Sequence, residues 1–600
     1  MSCQHYSICP ADPAGHYFDV RLSIPRPDAA GQLLRLPVWI PGSYMVRDFS
    51  RNIVELRALA AGQPVAVERH SKSEWLCAPC EGELVVEYRV YAWDLSVRSA
   101  HLDTTHGFFN GTSVFLEVVG QSESACEVFL EKPSHPECQS WRVATALPEA
   151  GAERYGFGGY RASNYDELID HPVEMGDFDL ATFEACGVSH DIVLSGRHSA
   201  DMDRLCRDLK TICEHHIRFF GEPAPVDRYV FLTMVTGDGY GGLEHRASTA
   251  LMTSRRSLPR VGVDSVDKHY RNFLGLCSHE YFHTWNVKRI KPAVFSPFDL
   301  SGEQHTRLLW AFEGITSYYD DLALVRTGLI SQRDYLEQLA QTLSRVWRGR
   351  GRFRQTVTES SFDAWTRFYK QDENAPNAIV SYYAKGAVIA LCLDALLQQS
   401  GSSLDQLMAL LWERHAEVGV GEREIEDYVA ELAGEPARHT LCTWLYSTED
   451  PDVAAALEQF GVSLNWRAPE GQDDWGSVST DNDAAPSGAS PQTIGVRCVA
   501  APEWGGLAKL TVVYEGEPAH RAGLSAGDVL VAMDGLKVTA ADWESRVAQA
   551  LRGQPIRVHA FRRDELMAFD VVPEPAARTA AELRMASGSE RLRQSWLRGQ

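Results

Sequence analysis

Alternating apolar and polar positions dominate the first third of the chain. Tyr17-Phe18-Asp19-Val20-Arg21-Leu22-Ser23-Ile24 alternates, and Glu83 to Tyr91 puts Leu84, Val86, Tyr88 and Val90 on one face. A period of two is the mark of a half-buried strand. Turn residues recur between such runs, so residues 1–185 are predicted to form an all-β, sandwich-like domain. From about Ser199 the period becomes helical. A strand from Tyr229 to Val235 interrupts it, and long helical periods continue to about residue 460, so 186–470 reads as a second, mixed domain. Residues 471–492 are Gly, Asp, Ser, Thr, Asn and Pro with almost nothing apolar, the composition of a linker. Residues 493–575 read as a third small domain. Residues 576–600 carry Arg and Glu without a strong pattern and are expected to form a fraying tail. The fold class predicted is multidomain α+β, with no internal repeat.

One helical stretch makes an unusual polar demand. Phe273, Leu274, Leu276, Tyr281, Phe282 and Trp285 make it apolar almost all round, which predicts burial. The same stretch contains His279-Glu280-Tyr281-Phe282-His283, an HExxH motif. Histidines at i and i+4 share one helix face and can reach a single ion. Buried histidines and a buried Glu need partners, and a zinc ion supplies them. Glu280 would then be the base that takes a proton from the attacking water.

A catalytic zinc needs a third protein ligand. The metzincin pattern requires Gly at 286 and His at 289, where this chain has Asn286 and Arg289, so that class is excluded. Two glutamates remain. Glu303 follows His283 after 19 residues, the spacing seen in thermolysin, and Glu313 follows after 29. Ser301 and Gln304 read as a capping box, which gives Glu303 an ordinary first-turn role. Glu313 sits in Trp310-Ala311-Phe312-Glu313-Gly314-Ile315-Thr316, where a carboxylate is costly unless bound. Environment favours Glu313, and spacing keeps Glu303 open.

The segment Trp310 to Thr316 resembles the Glu-Gly helix of gluzincin aminopeptidases, whose Glu is the third zinc ligand. Gly241-Gly242-Leu243-Glu244-His245 is similar to their Gly-Xaa-Met-Glu-Asn edge strand, whose Glu binds the substrate's free α-amino group. Tyr383-Ala384-Lys385-Gly386-Ala387 resembles their Tyr-Xaa-Lys-Gly segment, whose Tyr hydrogen-bonds the tetrahedral intermediate, with Tyr382 as the alternative donor. The Leu243 and His245 variants, the long spacer to Glu313 and Trp39-Ile40-Pro41-Gly42-Ser43-Tyr44-Met45-Val46-Arg47 look like the glycyl aminopeptidase family, metallopeptidase family 61. That resemblance covers residues 1 to about 575 and implies a thermolysin-like catalytic domain over 186–470. Gly516 to Leu530 resembles a PDZ domain, with Ile494-Gly495-Val496 as its carboxylate-binding loop. From the residues themselves, Gly241 and Gly242 let substrate backbone approach and pair along a strand edge beside Glu244.

Composition narrows the partners. Six hundred residues exceed one core, and 44% hydrophobic with 23% charged content is ordinary for a folded protein. The net charge of −23 argues against nucleic acid or an anionic membrane. No apolar run approaches about 20 residues, and the N-terminus lacks the basic and apolar regions of a signal peptide. Thirteen scattered cysteines suit a reducing cytoplasm, and Cys77-Ala78-Pro79-Cys80 lacks a second CxxC to complete a zinc site.

These readings converge on an aminopeptidase with one zinc per chain on His279, His283 and Glu313. Glu280 is its base, Tyr383 its oxyanion donor and Glu244 its ammonium anchor. Peptides with a free N-terminus are the substrates, with glycine or alanine first as the resemblance implies. A peptide C-terminus is the expected ligand of the PDZ-like domain. Two rivals stay open: a zinc endopeptidase, and a PDZ-bearing interaction protein without turnover.

Overall fold

The computed structural model describes residues 3–480, 490–585 and 588–598, and it divides into two compact units. The first unit comprises 1–304 and 408–421. Its N-terminal part holds a seven-stranded sheet in which Gln4–Asp12, Tyr17–Ile24 and Leu84–Tyr91 are neighbours, together with two four-stranded sheets. The strand at 17–24 buries Phe18, Val20, Leu22 and Ile24, as its alternation requires.

A five-stranded sheet follows, in the order Phe178–Ala185, Val188–Ser195, Arg228–Thr236, Ser248–Ser254, Gly241–Glu244. The strand at 178–185 was expected within the first domain. It pairs with Val188–Ser195 along its whole length and so belongs to this second sheet. The domain boundary expected at 185 is also not a break in packing. Phe18 and Phe109 share one hydrophobic cluster with Val193, Val230, Leu232, Leu243 and Ala250. Gly241–Glu244 forms the edge of the sheet, antiparallel to its neighbour, with Glu244 opposite Thr249.

The second unit comprises 305–407 and 422–600. Helices such as Gln332–Arg348 and Tyr382–Gln398 form its body. Ser381 caps the latter by accepting from the Ala384 N–H, and 14 of its 17 residues are buried, which makes it a core helix. A separate hydrophobic cluster, including Ile494, Leu510, Leu530, Val558 and Phe569, fills the module around 493–571. Its main sheet runs Val496–Ala501, Leu507–Val513, Val529–Met533, Ile556–Arg562, Glu565–Val571.

The C-terminus departs from expectation. Among the described residues, 576–585 and 588–598 do not form a fraying tail. Ala580–Met585 is the central strand of a three-stranded sheet, between Val462–Arg467 and Ser477–Thr480. Helix Glu590–Arg598 follows, with Trp596 stacked on Phe460 at 4.4 Å and donating from Nε1 to the Tyr318 hydroxyl. The expected linker 471–492 therefore contains a strand, Ser477–Thr480, while its residues 481–489 lie outside the described residues. The module at 493–575 is an insertion between two parallel neighbours of this small sheet. Composition missed this because the strand Ala580-Ala581-Glu582-Leu583-Arg584-Met585 is short and is broken by the charged Glu582 and Arg584.

Trp596 thus closes the helical unit. Trp596→Ala is expected to cost about 3–5 kcal/mol, the range for removing a buried aromatic. The check is a large fall in the thermal midpoint of the helical unit; an unchanged midpoint would show that this helix is peripheral.

Candidate metal and substrate site

Helix Lys268–Phe282 carries the HExxH motif. Asp267 caps it, accepting from the His269 and Tyr270 N–H groups at 2.9 Å each. Its apolar side chains are buried as expected: Phe273, Leu274, Tyr281 and Phe282, with Trp285 beyond its end. Two histidines outside the motif serve this packing. His216 Nε2 meets Ser278 Oγ at 2.9 Å, and His190 Nε2 meets the Tyr281 hydroxyl at 2.8 Å. Burial pushes His190 down to about 4, so it packs as a neutral ring. His216 is buried as part of this core.

His279 and His283 lie one turn apart, ring centroids 4.6 Å from each other. His283 Nδ1 is 2.7 Å from the Asn286 carbonyl oxygen. A carbonyl only accepts, so Nδ1 carries the proton and Nε2 carries the lone pair, the tautomer a metal ligand needs. The turn that brings Asn286 back has Val287 at φ 140°, a strained value for a β-branched residue. Donor atoms of Glu244, Glu280 and His283 lie within 4.8 Å of one another, so the proposed anchor and base both stand beside this histidine.

The edge strand explains its glycines. A Cβ at Gly242 would fall 2.0 Å from Glu280 Oε1, so a side chain there would displace this carboxylate. The expected backbone pairing along this edge is partly taken up, because the Gly242 carbonyl accepts from Arg98 Nη2 at 3.2 Å. Glu244 is 4% exposed, and its Oε1 is buried with no hydrogen-bond partner among the described residues. A carboxylate oxygen in that state awaits a cation or a donor.

Behind Glu244, a charged cluster pins the hairpin turn. Asp170 Oδ1 accepts from His245 Nδ1 at 3.0 Å and from Lys288 Nζ at 2.9 Å, and Oδ2 accepts from Arg246 Nε at 3.0 Å. Burial opposes ionisation of Asp170, but Lys288, His245 and Arg246 hold its carboxyl well below the usual carboxylate range. Burial in turn lowers His245. Sequence reasoning missed Asp170 and Lys288; they stand 118 positions apart, and no local pattern joins them.

In the second unit, Glu313 is 2% exposed within a π-helical turn, Trp310–Ile315. Such turns widen a helix and recur at functional sites. Gly314 and Gly386 explain the Glu-Gly and Lys-Gly pairs. A Cβ on Gly314 would lie 2.5 Å from the Gly386 Cα, and one on Gly386 would lie 2.7 Å from the Trp310 carbonyl oxygen. These glycines bring the π turn and the helix of Tyr383 into backbone contact. Tyr382 is fully buried against Phe368, while Tyr383 is partly exposed with its hydroxyl 3.3 Å from that of Tyr369. Glu303 is exposed, and no helix begins at Ser301. The expected capping box is absent: Ser301 Oγ donates to Asp299, and Gln304 Nε2 donates to the Val294 carbonyl.

Comparison with known proteins now identifies the family. A model of the peptidase M61 N-terminal domain matches residues 5–177, and the M61 glycyl aminopeptidase model matches 272–389. The crystal structure of an aminopeptidase N family protein from Idiomarina loihiensis is 42% identical, with 99% of this chain and 100% of that one covered and a TM-score of 0.93. The chain belongs to the aminopeptidase N family, as an M61 peptidase. It is a metallopeptidase, a hydrolase of the aminopeptidase kind. More distantly, it is similar to an M1 zinc metallopeptidase from Deinococcus radiodurans, with 13% identity, 75% of this chain and 95% of that one covered and a TM-score of 0.48. It is also similar to native yeast LTA4 hydrolase, with 13% identity, 76% and 70% covered and a TM-score of 0.46. A comparison with curated proteins finds no match. Among the described residues, no helix is long and apolar enough to cross a membrane.

The Asp170 cluster yields a pH prediction. The lowered carboxyl contributes stability above its unfolded value of about 4, and this is lost as pH falls through the folded value. Asp170→Asn strands the buried Lys288 and should cost about 3–5 kcal/mol near neutral pH. Urea unfolding at pH 7 and near pH 3 checks it: the gap between wild type and variant should shrink at the lower pH, and a constant gap would refute the linkage.

Proposed function

We propose that this M61 peptidase is a zinc aminopeptidase that removes one residue at a time from the free N-terminus of peptides. The observation that carries this reading is the buried, unpartnered Oε1 of Glu244 beside His283 and Glu280. A carboxylate so placed suits an α-ammonium, through a charge-assisted hydrogen bond.

His279, His283 and Glu313 would hold one zinc per chain. In support, the His283 tautomer is the ligating one, and Glu313 is a carboxylate buried within its own unit. When bound, zinc polarises the scissile carbonyl and lowers the pKa of a water. Glu280, 5% exposed, takes the proton of the attacking water and passes it to the leaving amine. Tyr383 donates to the oxyanion, a role its partial exposure suits better than the full burial of Tyr382. Glu244 holds the ammonium, so cleavage falls after the first residue. The glycyl aminopeptidase description of the matching family supports glycine, or alanine, as that residue.

For the module at 493–575, we propose a peptide C-terminus as ligand at Ile494-Gly495-Val496. Its backbone groups are presently engaged within the chain. The Gly495 N–H donates to Thr493 Oγ1, and the Gln472 side-chain amide both donates to the Cys498 carbonyl and accepts from its N–H. A bound peptide would have to displace that amide.

Metal analysis should find one zinc per chain in the wild type and none in His279→Ala/His283→Ala. Glu313→Ala should weaken zinc binding, and Glu303→Ala should not; the reverse result would move the third ligand to Glu303. Glu280→Gln should keep its zinc and lose about 10²–10⁴-fold in turnover.

Peptides with free N-termini should be cleaved far faster than N-acetylated ones, with Gly-first peptides ahead of Leu-first ones. Equal rates on free and acetylated peptides would leave the endopeptidase reading standing.

A further inference from the structure

The loop Trp39-Ile40-Pro41-Gly42-Ser43-Tyr44-Met45-Val46-Arg47 has no part in the chemistry above, yet it meets the site at Gly42. A Cβ built on Gly42 would lie 2.4 Å from Glu244 Oε2 and 2.5 Å from Oε1. Those distances are far inside van der Waals contact, so the Gly42 Cα stands directly against the carboxylate. The backbone at Gly42 has φ +87°, a region that side chains rarely tolerate.

The loop is held firmly enough for this contact to matter. Ile40 and Ser43 form a β-bridge, and Arg47 donates to Ser43 Oγ at 2.9 Å and to the Met45 carbonyl at 3.1 Å. Trp39 packs on Phe298 at 5.8 Å and donates from Nε1 to the Asp299 carbonyl at 2.9 Å. Tyr44 stacks on Phe295 at 5.9 Å. Trp39, Ile40, Ser43 and Tyr44 are all at most 1% exposed. The glycine therefore presents a fixed, sterically minimal surface to a carboxylate whose Oε1 is buried and unpartnered.

We infer that Gly42 is a positioning residue for the amine site: its bare backbone sets where the Glu244 carboxylate rests, and thereby the selection of a free ammonium. The contact limits how far the carboxylate can retreat from the incoming group without adding a donor that would compete for it. The inference rests on Glu244 being the ammonium anchor.

The test uses the zinc-loaded full chain and two small competitors, glycinamide and N-acetylglycinamide, in wild type, Glu244→Gln, Gly42→Ala and Gly42→Ala/Glu244→Asp. In Gly42→Ala, the inhibition constant of glycinamide should rise about tenfold or more, while that of N-acetylglycinamide stays put. Shortening the anchor by one methylene makes room for the added methyl, so the Glu244→Asp partner should recover part of the preference. A merely structural defect would weaken both competitors alike and would not be rescued. If the wild type prefers glycinamide through Glu244 and Gly42→Ala leaves that preference unmoved, this inference is overturned and the anchor reading survives. If the wild type shows no preference and Glu244→Gln changes nothing, the anchor reading itself falls, and this inference with it. Thermal melts cover poor folding of the alanine variant. Gly42→Ala should lower the midpoint more in the Glu244 background than in Glu244→Ala. Equal loss, or failure to fold in both, would put the defect in backbone strain and overturn the contact.

Discussion

Glu244, Glu280 and Glu313 are each at most 5% exposed, and a carboxylate taken out of water costs several kcal/mol unless a cation or donors receive it. The surrounding architecture follows from that constraint. Asp170 shows the satisfied case: three basic side chains converge on it, and its carboxyl stays ionised in spite of burial. Glu244, one residue from the His245 of that cluster, shows the opposite case, with an oxygen that nothing among the described residues completes. Two carboxylates this close in the fold and so differently served divide the labour. One pins the hairpin, and the other is left for a ligand. A fold selected for stability alone would satisfy both, so the imbalance is a functional signal.

Glycines set the spacing around these acids. Gly242 admits Glu280 where any side chain would collide, and Gly314 meets Gly386 backbone to backbone. The second contact joins a widened π turn to a buried helix, which places the Glu313 and Tyr383 elements in register with each other. Short motifs such as Gly-Gly-Leu-Glu, Glu-Gly and Tyr-Xaa-Lys-Gly are therefore chemistry beside clearance. The acid or phenol acts, and the adjacent glycine lets the next element come near enough for it to act in place. Lys385 has a separate task. It is fully buried, with Nζ 3.2 Å from Asp450, and burial together with Arg352 lowers it to about 8.

Local pattern carried much of this into the sequence. The HExxH helix was legible because two histidines and an acid at helical spacing sit in a run too apolar to be surface. The strand at 17–24 was legible from alternation, and burial of Glu313 from its neighbours. What stayed hidden was built from distance. Asp170 reaches Lys288 and His245 only through the fold. The strand Ala580–Met585 is short and carries two charged residues, and its central place depends on two strands more than a hundred residues earlier. The capping box at Ser301 failed for the converse reason: a correct local signature was overridden when Asp299 claimed Ser301 and the Val294 carbonyl claimed Gln304. The π turn at Glu313 could not be read from composition, since its residues are ordinary helix formers apart from Gly314.

The long interval between His283 and Glu313 has a structural use. Phe295 and Phe298 lie within it and provide the aromatic seat for Trp39 and Tyr44, while the Asp299 and Leu300 carbonyls accept from Trp39 Nε1 and the Val38 N–H. Residues of this spacer thus dock a loop of the N-terminal β region, and that loop ends its approach at Gly42 against Glu244. The spacer and the Trp39–Arg47 segment, separate oddities when read along the chain, are two halves of one packing arrangement. The N-terminal domain is consequently part of the wall behind the proposed amine site. A change in the spacer's aromatics should therefore reach Glu244 through the loop, although no spacer residue touches that carboxylate in the contacts described.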